Sequence, residues 1–230
     1  CNCNCAIWCN SCYSLIMALN INGTTGISGV DGSVSAPAVT GTDSNTGITF
    51  PSADTIKFAT GGVERMSITN SGITGAGIIL QVLQSVKTDV FSTTSNGFHD
   101  IGLSVAITPS SSSNKILIHY DANISSEDLT MVKLLRDSTD IGIGDAGDSN
   151  MQRVTQGGQV QGGNNDKVAV YSGSFLDSPS STSSITYKLQ AYKYGGTTMR
   201  VNTPVNNSNA TYTGRGISTI TVMEVAAWVL

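Results

Sequence analysis

The sequence predicts an all-β protein with an N-terminal module of short β-strands and a C-terminal jelly roll or β-sandwich. Ser, Thr, Asn and Gly together supply 98 of the 230 residues, and Thr favours strands while the other three favour turns. Charged residues make up only 12% of the chain, about half the usual share. After residue 78, apolar and polar residues alternate in many short runs bounded by turn residues, which is the pattern of half-buried strands.

The same composition excludes several classes of protein. A helical bundle needs Ala, Leu, Glu and Lys in quantity, and a nucleic-acid-binding domain is normally basic, whereas the formal net charge here is −4. No run approaches the roughly 20 consecutive apolar residues that a membrane-spanning helix requires. Hydrophobic residues reach 39%, which is too many for a disordered chain. We therefore expect no nucleic-acid partner and no membrane insertion.

The first segment, residues 1–16, contains all the cysteines: Cys1, Cys3, Cys5, Cys9 and Cys12. Thiolates at this spacing can converge on zinc or another soft metal. The pattern nevertheless matches no closed four-ligand site, and five is an odd number for a disulfide framework. The run that begins at residue 17 with Met resembles a start of translation. We therefore favour a leader or non-native segment for residues 1–16 and leave it out of the fold prediction.

The second segment, residues 17–78, contains three predicted strands at 47–50, 55–58 and 64–68. Each strand carries two apolar residues two positions apart, and these are Ile48 with Phe50, Ile56 with Phe58, and Met66 with Ile68. At about 25 cal/mol per Å² of buried apolar area, one thin face of this size offsets little of the conformational entropy that ordering the segment costs. We therefore expect the sheet to be stable only against other copies of itself, in a homotrimer.

The third segment, residues 79–230, is predicted to be the jelly roll or β-sandwich. Strands are predicted at 80–91, 103–107, 115–124, 131–136, 167–176, 185–194, 199–201 and 219–225, and Ser-rich or Gly-rich turns separate them. The clearest alternation runs through 115–124, where every second residue is apolar. The last strand lies in a nearly continuous apolar run, residues 217–230, which fits burial on both faces at the centre of a trimer.

Two groups of motifs resemble a known family. Residues 47–72 contain an Ala-Asp-Thr-Ile strand, a Gly-Gly turn and a Glu-Arg-Met strand, and this stretch resembles a module of tail-fibre and fibre-like virion structural proteins of tailed, marine-type bacteriophages. The phrases at 107–118, 175–179, 186–190 and 218–224 are similar to the globular ends of such fibres. The resemblance implies a virion location, with residues 17–78 as an attachment and shaft module and residues 79–230 as a trimeric tip.

The resemblance also implies a function, which is adsorption of the virion to a host surface glycan or protein through the tip. Other virion proteins would hold the N-terminal region. A head-fibre or capsid decoration protein without a receptor role is the first alternative. A glycan-degrading tailspike is the second, and it requires a cleft with two carboxylates at the spacing of a hydrolase.

Candidate catalytic, cofactor and metal motifs are weak, and we expect no enzyme activity, cofactor or metal. Residues 142–147 match the dinucleotide fingerprint G-x-G-x-x-G, but no helix is predicted after them, so we interpret them as a Gly-rich loop. His119 and Asp121 fall on one strand face, as an acid–base pair would, but we favour the interpretation that they are ordinary polar residues on the surface. A calcium site remains an open possibility for an acidic cluster in one loop region, which consists of Asp137, Asp140, Asp145 and Asp148.

Binding is the better supported class of activity, and residues 204–215 are the best candidate for it. This predicted loop combines amide side chains with an aromatic ring and a guanidinium group. Amides donate and accept hydrogen bonds to sugar hydroxyls, and an aromatic face covers the apolar side of a pyranose. The candidate receptor-binding residues are therefore Asn206, Asn207, Asn209, Tyr212 and Arg215. For this loop an ordinary turn-rich connection is the interpretation that we favour, and receptor binding is the alternative.

Overall fold

The computed structural model describes residues 20–22, 26–28, 31–75, 77–159 and 165–227. The chain divides into two compact units, Cys1–Ile73 and Thr74–Leu230. The five cysteines and the predicted leader segment lie outside the described residues. Every regular element in the described part of the chain is a β-strand, and none of these segments forms a helix that is long and apolar enough to cross a membrane. The predicted all-β fold class is confirmed.

Eight of the described strands lie in the first unit, and a ninth runs across its end at Ile73. They are β1 (Asn20–Asn22), β2 (Gly26–Ser28), β3 (Gly32–Ser33), β4 (Ala36–Pro37), β5 (Val39–Thr40), β6 (Gly47–Thr49), β7 (Ile56–Thr60), β8 (Val63–Thr69) and β9 (Gly72–Gly75). The sheet β5-β6-β7-β8-β9 contains the three predicted strands, and β1-β2 and β3-β4 are separate hairpins.

The first unit leaves its predicted apolar face partly uncovered. Phe58 pairs with both Ile48 and Met66 across the sheet, so these three side chains share a face as predicted. On that face Phe50 is 39% exposed, and a hollow of about 390 Å³ opens beside it. The most deeply buried side chains in the described part of this sheet lie on the opposite face and are small, for example Thr49 and Ala59.

The second unit contains eleven strands. They are β10 (Ile79–Lys87), β11 (Phe91–Thr93), β12 (Gly97–Ile107), β13 (Lys115–Ser126), β14 (Thr130–Arg136), β15 (Thr139–Ile141), β16 (Gln156–Gln159), β17 (Ala169–Asp177), β18 (Ile185–Lys193), β19 (Met199–Val201) and β20 (Ser218–Val225). We call the sheet β10-β20-β13-β19-β11, with β17 on the other edge of β13, the front sheet. The back sheet has the order β12-β18-β14-β15, with β16 also paired to β14.

The core of the second unit lies between the two sheets. Along β13 and β18 the buried and less buried residues alternate strictly over most of their length, because successive side chains of a strand point to opposite faces. The inward side chains of both sheets form one apolar cluster, which includes Ile116, Ile118 and Tyr120 from the front sheet and Tyr187 and Leu189 from the back sheet. The predicted β-sandwich is therefore present in a single chain.

Polar contacts also join the sheets within this core, and one of them centres on Asp177. Asp177 of β17 accepts hydrogen bonds from Tyr187 Oη at 2.7 Å and from Arg136 Nη1 at 2.9 Å, both on the back sheet. Burial and the adjacent Asp177 carboxylate raise the pKa of the Tyr187 phenol, so Tyr187 remains a hydrogen-bond donor at all ordinary pH values. The Arg136 guanidinium thereby pairs with the charge of the buried Asp177 side chain.

The last strand, β20, lies between β10 and β13. Its burial alternates along its whole length: Ser218, Ile220, Val222 and Glu224 are buried, and the residues between them are partly exposed. Within one chain β20 is therefore fully buried on one face only. Burial of its second face at a trimer centre stays a prediction.

Candidate functional site

The connection between β19 and β20 is the longest described segment without a strand in the second unit, and Asn202 ties its two ends together. Asn202 is fully buried and donates from Nδ2 to the carbonyl oxygens of Lys87 and Asp89 at 2.8 and 3.0 Å. Its Oδ1 accepts a hydrogen bond of 2.6 Å from Ser218 Oγ, at the start of β20. The amide of Gly216 donates to the Asn202 carbonyl at 3.0 Å. Residues 203–215 therefore form a loop whose two ends are held together by Asn202, and we call the buried residues at these ends its base.

This base is extended by residues 203–205, which are buried. Ser125 Oγ donates to the Thr203 carbonyl at 2.7 Å, and Arg200 Nε donates to the Val205 carbonyl at 3.0 Å. Beyond Val205 the chain turns outward, and Asn207 adopts a positive φ of 43°. Asn is one of the few residue types that tolerate this conformation, so the sequence favours a turn at this position.

The outer part of the loop encloses a pocket of about 300 Å³, which we call the loop pocket. Neutral polar groups and small residues form nearly all of its wall, and Arg215 supplies the single charge. The lining residues are Thr203, Asn207, Ser208, Asn209, Ala210, Thr213, Gly214 and Arg215. Arg215 is exposed and has no ion-pair partner among the described residues.

A hydroxyl group organises the pocket wall from inside the loop. Thr213 Oγ1 lies 2.6 Å from the Ser208 carbonyl oxygen and 2.9 Å from that of Ala210, and the Thr213 amide donates to the same Ala210 carbonyl at 3.1 Å. Ser208 Oγ is buried and lacks a hydrogen-bond partner in the described structure. Buried hydroxyls are normally satisfied, but this oxygen has almost no accessible surface, so a bound molecule could reach it only after a movement of the loop.

The structure brings three of the five candidate binding residues together. Asn207, Asn209 and Arg215 line the loop pocket. Asn206 and Tyr212 are not among its lining residues: Asn206 Nδ2 donates to Asp166 Oδ1 at 2.8 Å, and Tyr212 is 68% exposed. Sequence reasoning missed the contributions of Thr203, Ser208 and Thr213. Thr and Ser are too common in this chain to be singled out without the turn geometry.

The other candidate motifs do not form comparable sites. His119 Nε2 and Asp121 Oδ2 lie 3.4 Å apart on one strand face, as predicted, but both side chains are about half exposed and belong to no described pocket. Residues 142–147 follow β15 as an irregular loop with no helix after it. They therefore lack the strand–helix context that places a phosphate on a helix N-terminus.

The four aspartates proposed for calcium are not grouped as metal ligands. Asp137 Oδ1 accepts a hydrogen bond of 2.9 Å from the Thr186 amide, and Asp140 Oδ2 accepts one of 2.7 Å from Lys133 Nζ. Over the described part of the chain, no cluster of three or more His, Cys, Asp or Glu side chains is placed to hold a metal ion.

Comparisons with known proteins give low similarity. No protein-family model and no curated protein matches the chain. Among solved structures, the VP2 subviral particle of infectious bursal disease virus matches with a TM-score of 0.36 at 9% identity, over 75% of this chain and 51% of that chain. The T=1 particles derived from the same virus match with a TM-score of 0.35 at 10% identity, over 86% and 54%.

A third solved structure, the Gx strain of infectious bursal disease virus, matches with a TM-score of 0.34 at 11% identity, over 86% of this chain and 57% of that chain. The chain thus spans little more than half the length of the solved chains it matches. These matches assign no family. At such TM-scores and identities they carry no argument about function.

Proposed function

We propose that the chain is a homotrimeric phage fibre protein of the virion that adsorbs to a host cell-surface glycan through the loop pocket. The loop pocket is the observation that carries the proposal. Its wall offers amide, hydroxyl and guanidinium groups, which are the groups that hydrogen-bond sugar hydroxyls. The fibre role rests on the resemblance of residues 47–72 and of the C-terminal phrases to phage fibre proteins.

The homotrimer is supported by the first unit. Its sheet exposes apolar side chains around a hollow, with Phe50 39% and Ile56 36% exposed. A sheet this small gains stability when such a face is covered by identical sheets. Three pockets on one rigid trimer also raise the overall affinity, because the second and third contacts are intramolecular. Weak individual sites are therefore sufficient for adsorption.

Binding of the full chain to an array of neutral and acidic bacterial oligosaccharides tests the receptor role. We expect Asn209→Ala and Arg215→Ala to reduce binding at least tenfold, because both side chains line the pocket. Asn150→Ala is the matched control, since Asn150 is an exposed amide in another loop of the same unit, and it should bind like the parent. Absence of binding to every oligosaccharide, or equal binding by all variants, would contradict the proposal.

The decoration-protein alternative differs from this proposal in its effect on infection. An added excess of the full chain should block adsorption of the parent phage to its host if the tip binds the receptor. Unchanged adsorption in the presence of the excess chain would favour a decoration protein that only coats or stabilises the capsid.

The tailspike alternative requires two carboxylates that face each other across a cleft. The wall of the loop pocket contains no carboxylate, which supports binding without cleavage. Incubation of the full chain with a polysaccharide that it binds, followed by an assay for reducing ends, tests this point. A time-dependent rise in reducing ends would replace the adsorption proposal with a hydrolytic one.

A further inference from the structure

The two sheets of the second unit present very different outer faces. The back sheet carries charged pairs: Lys188 Nζ lies 3.0 Å from Asp100 Oδ2, and Lys133 Nζ lies 2.7 Å from Asp140 Oδ2. Lys133 also lies over the Phe98 ring, 4.2 Å from its centroid. Such ion-paired surfaces are suited to contact with water.

The outer face of the front sheet instead carries an apolar row that crosses four strands. The register pairs Val82 of β10 with Met223 of β20, Met223 with Leu117 of β13, and Leu117 with Leu176 of β17. Residues paired in this way lie side by side on one face. Val82 is 55% and Leu176 54% exposed, so both ends of the row are open. We call these four side chains the apolar row.

The rows beside the apolar row are mostly uncharged. Two residues further along the same strands, Thr221 pairs with Gln84 on one side and with His119 on the other. The side chain of Gln84 donates from Nε2 to Thr221 Oγ1 at 2.8 Å. The only charged side chains at outward positions of the four strands are Lys115 and Asp121. With His119 neutral, the face has no net charge, whereas the chain as a whole has a net charge of −4.

We propose that this outer face of the front sheet is the surface through which three copies of the second unit associate. The inference rests on the homotrimer of the proposed function and assigns it a contact surface. Identical chains of net negative charge repel one another least through a face without net charge. A contiguous exposed apolar row on such a face favours association.

The size of the face also fits association between copies. Four strands about 4.8 Å apart and nine residues at about 3.3 Å each span roughly 19 by 30 Å, on the order of 600 Å² before side-chain relief is added. A standard interface uses about 800 Å² of accessible surface per partner. In a trimer this face is shared between the contacts with two neighbours, so it supplies a part of the area that each contact needs.

Threefold symmetry makes a specific prediction about the two ends of the apolar row. When three equivalent faces surround one axis, the central strands β20 and β13 lie nearest the axis. The β10 edge of one protomer then meets the β17 edge of the next, which brings Val82 close to Leu176 of another copy. Within one protomer the two residues are three strand spacings apart, roughly 14 Å.

Charge substitutions at these two exposed positions test the contact in the full chain. We expect the parent to sediment as a trimer of 23.9 kDa chains. Val82→Lys alone and Leu176→Glu alone should each raise the protein concentration needed for half-maximal assembly at least tenfold. The double variant should recover assembly, because the new charges attract across the interface. Ala106→Lys is the control, because Ala106 is an exposed outward residue of the back sheet, and it should leave the trimer intact.

Three results would decide against the inference. A trimer that survives both single substitutions would overturn the contact surface and leave the proposed homotrimer standing. Dissociation of both single variants without recovery in the double variant would overturn the threefold pairing of β10 with β17. A parent chain that stays monomeric at tens of micromolar would overturn both the surface and the homotrimer. Oligosaccharide binding measured on the same samples tests the receptor role separately.

Discussion

Asn114 donates a hydrogen bond from Nδ2 to Glu224 Oε1 at 2.6 Å, although the two residues lie 110 positions apart in the chain. The same oxygen accepts bonds of 2.7 Å from both the amide and the hydroxyl of Ser110, and Gln81 Nε2 donates to the other carboxylate oxygen at 2.5 Å. Glu224 is fully buried. Its carboxylate therefore fastens the 108–114 turn and strand β10 to the last strand of the sandwich.

Removing this charge should destabilise the second unit. We expect Glu224→Gln to lower the free energy of unfolding by about 2–3 kcal/mol, because an amide nitrogen would face donors that now meet a carboxylate oxygen. Asp100→Asn is the matched control, since Asp100 is a half-exposed carboxylate, and it should cost less than about 1 kcal/mol. Denaturant unfolding followed by circular dichroism measures both values. Equal losses of the free energy of unfolding would mean that burial of the carboxylate does not increase its contribution to stability.

The pH dependence of stability should report the same carboxylate. Burial raises the pKa of Glu224, but the hydrogen bonds from Asn114, Gln81 and Ser110 lower it by more, and the net pKa is below the ordinary value of 4.5. A lowered native pKa means that the unfolded chain takes up the proton first as the pH falls. The contribution to stability is therefore complete above pH 4.5 and is lost below it. In Glu224→Gln this part of the acid-induced loss should be absent.

Asn202 provides a second stability test, because it combines a buried hydrogen-bonding side chain with a positive φ of 65°. Asn202→Gly keeps the backbone conformation accessible but removes the side-chain bonds, and we expect a loss of about 2–3 kcal/mol. Asn202→Ala removes the same bonds and adds left-handed backbone strain, so it should cost about 1 kcal/mol more. If the alanine variant proved the more stable of the two, the strain argument would be wrong.

The turn after β18 should be destabilised by a side chain at Gly195. Gly195 has a φ of +61°, and a methyl group built on it would overlap the Asp128 carboxylate. We expect Gly195→Ala to lower the melting temperature of the second unit by several degrees, corresponding to about 2 kcal/mol. Gly144→Ala is the control, because open space surrounds that position. A melting temperature in Gly195→Ala equal to that of the control would contradict this expectation.

A substitution at Thr213 tests whether the conformation of the loop can be changed without changing the stability of the sandwich. Thr213→Val keeps the shape of the side chain but loses the bonds to the Ser208 and Ala210 carbonyls. We expect oligosaccharide affinity to fall about tenfold, because the pocket wall loses its fixed conformation. The melting temperature should change by less than about 2 °C, because the loop adds little to the core. Unchanged affinity would show that the wall is held by other contacts.

The sandwich strands could be predicted closely because alternation and turn residues agree along them. The strand at 199–201 was predicted with its observed bounds, and 115–124 falls inside β13 (Lys115–Ser126). The first half of β12 was missed, because a register shift between Asp100 and Ser104 interrupts its alternation. The glycine at position 102, with a φ of 76°, accompanies this shift.

The candidate site could be predicted only in part. Composition pointed to the loop that contains a pocket, and Asn207, Asn209 and Arg215 line that pocket; their role in binding stays a prediction. Which amides face inward depends on contacts that are distant in sequence, such as the bond from Asn206 to Asp166. The apolar row depends on the register between four strands, and no local sequence pattern contains that information.

The hydrogen bond from Ser218 Oγ to Asn202 Oδ1 bears on how the ligand specificity of the proposed binding site could change. It closes the base of the 203–217 segment on the core side of the pocket, and of the residues that line the pocket only Thr203 also belongs to this base. An exchange of residues 206–215 for another sequence of the same length would leave the strand pairing on either side untouched. If the loop pocket binds a glycan as proposed, changes of sequence within this segment would alter its specificity while the sandwich stayed the same.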